Sequence, residues 1–131
     1  MAFLRVMVAV ALIVTAVLLH LVAMPWLRLP GAVPDVVAVT VVALGLVGGP
    51  LRGAVTGFGA GLLLDIAPPA VGTIGISAVV LVVAGYLAGV VSERRVTGLV
   101  PRVGIAALIA GATVVGAAAV GTIVGDPRIA W

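Results

Sequence analysis

Cysteine, lysine, asparagine and glutamine are all missing from this chain of 131 residues, and histidine occurs once. Without cysteine there is no disulfide, no thiolate nucleophile and no thiolate metal site, and the redox compartment stays open. Charge is scarce as well: Asp, Glu, Lys and Arg together make 8% of the residues, against about a quarter in an ordinary globular domain. So few charges cannot cover a water-facing surface, and hydrophobic residues reach 64%. The net charge of +3 rests on arginines that stand singly or in one pair beside apolar runs. That pattern fits topogenic charge and excludes a basic patch for nucleic acid.

Enzyme constellations are equally thin. A Ser/His/Asp triad would need His20, near the outer end of the first apolar run, while Ser92 falls on the opposite side. His20, Asp35 and Asp65 fall near one face, but at no spacing typical of a zinc site. Gly57, Gly59 and Gly61 alternate as in a phosphate-binding loop, yet they follow no strand and sit inside a helix-length apolar run. No catalytic, cofactor-binding or metal-binding residue is assigned, and the chain is read as a non-enzyme.

What the sequence does contain is apolar length and glycine. Five spans are predicted, at 6–24, 35–48, 51–65, 74–91 and 103–124, forming one all-α transmembrane bundle over 1–131. The first resembles a signal segment but is long for one and is read as an uncleaved anchor. The second and third are short; a re-entrant hairpin would sink Arg52 into hydrocarbon at about 2.5–3.5 kcal/mol, so two short spans are preferred. Gly53, Gly57 and Gly61 recur every fourth residue in the third span. Glycine costs roughly 1 kcal/mol against alanine in a water-exposed helix, whereas in lipid a glycine stripe admits a neighbouring helix closely. Gly85 and Gly89, around Tyr86, repeat the device in the fourth span. The fifth, with Gly104, Gly111, Gly116 and Gly121, is expected to pack against protein rather than stand alone in lipid.

The arginines orient the bundle. With the N-terminus cytoplasmic, Arg5, Arg52, Arg94, Arg95 and Arg102 lie inside and only Arg28 and Arg128 outside. The C-terminus of the chain is then extracytoplasmic. Asp35 is placed to cap the second helix. Asp65 ends the third helix, where the macrodipole disfavours an anion by roughly 0.3–1 kcal/mol. Water, the amides of the turn that follows, or Arg28 are the expected compensation.

One family has these pieces in the same order. Pro34-Asp35 precedes an apolar run; Gly49-Pro50-Leu51-Arg52-Gly53 leads into Gly57-Phe58 and Gly61-Leu62-Leu63-Leu64-Asp65; a proline-rich link with Gly72 follows, then Gly85-Tyr86-Leu87-Ala88-Gly89 before a basic turn. The set, over about half the chain, resembles the bacterial rod shape-determining protein MreD. The resemblance implies a membrane scaffold of the cell-elongation machinery, in the bacterial inner membrane. Its partners would be the bitopic MreC, MreB filaments, and the RodA and penicillin-binding protein 2 pair, helping to direct lateral peptidoglycan synthesis. It also implies a helical fold similar to the substrate-binding subunits of energy-coupling-factor transporters, with no cofactor. Family members continue for at least one helix beyond the equivalent of Asp126-Pro127, so a chain lacking the last helix or a short variant is expected. A vitamin-type binding subunit is the alternative. It would want several convergent polar side chains, and the spans offer only Thr15, Thr40, Thr56, Ser77, Tyr86, Thr113 and Thr122. Self-association as a homo-oligomer stays open.

Overall fold

The computed structural model describes residues 1–27, 36–67, 74–94 and 98–124. All secondary structure among them is helical: α1 (Ala2–Leu27), α2 (Val36–Gly48), α3 (Pro50–Ile66), α4 (Ile76–Glu93) and α5 (Leu99–Val124). The expected five helices are present in the expected order. Two segments, Ala2–Ala23 and Ile76–Glu93, are long and apolar enough to cross a membrane, and Val36–Gly48 and Leu99–Thr113 are shorter apolar helices.

The helix ends differ from the sequence reading in instructive ways. The first helix starts at Ala2, so Arg5 lies inside its first turn, and it continues through position 25 to Leu27. A proline in the last turn removes one ladder donor without preventing that turn from closing. The fifth helix begins at Leu99 rather than at 103, which places Pro101 and Arg102 in its first turn. First-turn amides have no intrahelical acceptor in any case, so proline is tolerated there. The α2–α3 connection is a tight reversal: Gly49 takes φ 87°, a left-handed conformation that suits glycine, and Pro50 follows at the first helical position.

Helices α3 and α4 form the most extensive pair, α2 packs on both, α1 packs on α2 and α3, and α5 packs on α2 and α4. Ile13, Ala16 and Val17 of α1 share one buried cluster with Val37, Ala38 and Val41 of α2, Ala60 of α3 and Leu81 of α4. The middle of α1 therefore lies beside the N-terminal half of α2. A second cluster joins Val42, Ala84 and Ala88 to Ala106 and Ile109 of α5. The interior is built from small residues: the largest fully buried side chains are the valines Val37, Val41 and Val42. Larger apolar side chains point outward, among them Phe3, Leu4, Phe58, Leu87 and Leu108. Small residues inside and large apolar ones outside invert the usual globular arrangement.

Candidate functional site

The α3–α4 seam is where the sequence signature converges. Along it, Gly53 meets Gly85, Gly57 meets the Leu81–Val82 peptide, Gly61 meets Ala78, and Gly89 meets the Gly49-Pro50 peptide. The early part of α3 thus faces the late part of α4, and the pair is antiparallel. At each of these glycines an added Cβ would overlap backbone of the facing helix rather than the end of a flexible side chain. The stripe therefore serves a backbone-to-backbone contact. A residue not singled out from the sequence completes it: a Cβ on Gly45 of α2 would lie 2.5 Å from the Gly85 carbonyl oxygen and 3.1 Å from the Ala88 Cβ. Three helices meet at Gly85. Its spacing of four before Gly49 was the available signal for Gly45.

Polar groups close both ends of this trio. Asp65 is buried, at 4% exposure, in the last turn of α3. Its Oδ2 accepts from the Gly75 amide at 2.7 Å and the Ala78 amide at 3.3 Å. Gly75, at φ 104°, is the N-cap residue of α4 and supplies no side chain of its own. The carboxylate of one helix thus caps the N-terminus of the next, where the dipole favours an anion. Compensation thus comes from the start of the next helix; residues 68–73 of the turn after Asp65, Arg28 and Asp35 lie outside the described residues. Oδ1 of Asp65 has no hydrogen-bond partner among the described residues. At the opposite end, the Ser92 hydroxyl of α4 donates to the Leu46 carbonyl near the C-terminus of α2. That contact also went unread in the sequence.

The remaining candidates sit away from the seam. Arg52 is exposed in the first turn of α3, its aliphatic stem against Gly48. Tyr86 is exposed, on the side of α4 that Gly85 and Gly89 leave free. His20 is half-buried, with Nδ1 lacking a partner among the described residues. Thr15, Thr40, Thr56, Thr113 and Thr122 each donate to a carbonyl of their own helix three or four residues back, so none offers its proton to a ligand. Among the described residues no group of three or more His, Asp or Glu side chains could hold a metal ion.

As expected, α5 packs against protein, on α4 and α2, but not through its described glycines. Gly104, Gly111 and Gly116 have nothing within 4 Å of an added Cβ. The contacts run through Ala106, Ile109 and the buried Thr113, while Gly104, Gly111 and Gly116 face away from the bundle. Comparison with protein-family models, curated proteins and solved structures returns no match.

Proposed function

We propose that the chain is a multi-pass subunit of the bacterial inner membrane, N-terminus cytoplasmic, acting without catalysis as an MreD-like scaffold of the cell-elongation machinery. The single observation that carries this reading is the α3–α4 seam. The glycines that make up the family-like signature, Gly53, Gly57, Gly61, Gly85 and Gly89, are those at which the two backbones touch. Asp65, the polar member of that signature, ties the same two helices at their other end. A rigid hairpin of this kind suits a subunit that presents fixed outer faces to partner helices.

The membrane part of the proposal is supported by the inverted packing. Phe3, Leu4, Met7, Phe58, Val79 and Leu108 are each more than half exposed, and a continuous apolar exterior of that kind is rare in water. Back-bonded threonines are likewise common where helix backbones have no competing water. Under this reading the short α2 and α3 cross as two spans, and the five helices resemble the fold of energy-coupling-factor binding subunits.

Purification of the full chain with its native lipids tests the proposal. Co-isolation of an MreC-like bitopic protein, and of the RodA and penicillin-binding protein 2 pair, is the expected result. A stoichiometric vitamin-sized ligand without those partners would overturn the scaffold in favour of a transporter subunit.

A further inference from the structure

Four described arginines gather at one end of the bundle. Arg5 lies in the first turn of α1, Arg52 in the first turn of α3, Arg94 at the C-cap of α4 and Arg102 in the first turn of α5. The antiparallel pairing of α3 with α4, the packing of Ala106 and Ile109 of α5 near Ala84 and Ala88, and the α1–α2 register bring these four helix ends together. All four side chains are exposed. Arg5, Arg52 and Arg94 form no ion pair among the described residues. Glu93 is the one described acidic residue at this end.

Exposed apolar side chains stand directly beside three of these cations. Phe3 and Leu4 precede Arg5, Leu51 precedes Arg52, and Leu99 and Val100 precede Arg102, with exposures between 62% and 83%. A guanidinium whose stem lies along apolar surface can keep its head at a polar boundary and bind a phosphate oxygen pair through two parallel N–H groups. A nucleic acid or an acidic peptide would want the cations without an apolar rim. A headgroup layer over hydrocarbon wants both.

We propose that this end of the bundle is a binding surface for anionic phospholipid headgroups, with Arg5, Arg52 and Arg94 as its principal contacts. The inference rests on the membrane reading above and goes beyond it, because a scaffold needs no preference among lipids. Basic residues at an anionic surface are attracted in a manner that salt screens within a Debye length of about 10 Å at 0.1 M.

The test reconstitutes the full chain into phosphatidylcholine vesicles with trace spin-labelled phosphatidylglycerol or spin-labelled phosphatidylcholine, and reads the protein-contacting fraction of each. The expected result is enrichment of phosphatidylglycerol by about threefold or more at low salt, falling towards parity near 0.5 M salt. The triple variant Arg5→Gln, Arg52→Gln, Arg94→Gln should lose the enrichment while keeping helical content by circular dichroism. Equal contact of both lipids with the wild-type chain, or an enrichment that survives in the folded triple variant, would overturn the inference and leave the scaffold reading standing. Should wild-type enrichment be absent while an acidic peptide binds in its place, the surface belongs to a protein partner. Failure of the wild-type chain to enter vesicles would overturn the membrane reading itself, and this inference with it.

Discussion

Two alanine substitutions on one helix, two residues apart, separate the seam from the rest of α3. A methyl group added at Gly57 would overlap the Leu81 carbonyl oxygen and lie 2.9 Å from the Val82 nitrogen. Both are backbone atoms, so no side chain can swing aside. Restoring ordinary carbon contacts of about 3.5–4 Å would move α3 and α4 apart by roughly 1 Å, forfeiting a quarter to a half of the dispersion energy of each atom pair across the contact. Overpacking of this kind costs about 1–3 kcal/mol, and the rigid backbone on the far side puts Gly57→Ala near the top of that range. Gly59 has nothing within 4 Å of the same added atom. Gly59→Ala therefore carries only the propensity term, a gain of at most about 1 kcal/mol. The two variants should differ by roughly 3 kcal/mol, on the order of a hundredfold in the folded-to-unfolded ratio. Reversible unfolding in mixed detergent micelles, titrated with a denaturing detergent and followed by circular dichroism, measures both. Equal stabilities within about 0.5 kcal/mol, or a Gly57→Ala variant more stable than Gly59→Ala, would refute the backbone contact at this seam.

Other parts of the structure make sharper or smaller demands. Asp65→Ala leaves the Gly75 and Ala78 amides without their acceptor and should cost about 1–3 kcal/mol, with faster hydrogen exchange confined to the first turn of α4. Asp65→Asn keeps one acceptor oxygen and should retain most of the protection; equal loss in both variants would assign the effect to charge rather than to capping. Ser92→Ala removes one donor to the Leu46 carbonyl and should cost about 0.5–1.5 kcal/mol in the same unfolding assay. No change on that substitution would remove Ser92 from the structure that holds α2 against α4.

Much of this architecture is readable from local chemistry. Pro50 after Gly49 marks a helix start, and the every-fourth-residue glycines mark a face that needs close approach, because both signals lie within a few residues of their effect. The partners of those groups are another matter. Asp65 reaches amides ten and thirteen residues along, and Ser92 reaches a carbonyl forty-six residues back. No periodicity encodes such pairings; they follow from how α3 and α4 dock. Pro101 and Arg102 suggest a loop up to residue 103, although a first helical turn accepts both and α5 starts at Leu99. That α5 packs on the bundle is readable from its composition, but the face it uses is not. Composition reports that side-chain volume is small, but the side of the helix from which it is missing depends on which face Ala106, Ile109 and Thr113 turn towards α2 and α4.

Sidedness tests the central claim most directly. The chain has no cysteine, so single cysteines can be introduced without background. Ile74, ahead of α4, and Leu99, at the start of α5, are 68% and 79% exposed and lie at opposite ends of α4. In intact cells with a permeabilised outer envelope, a membrane-impermeant maleimide should label Ile74→Cys and leave Leu99→Cys unmodified until the inner membrane is opened. Labelling of both positions in intact cells, or of Leu99→Cys alone, would contradict a bundle that crosses the membrane with its N-terminus inside.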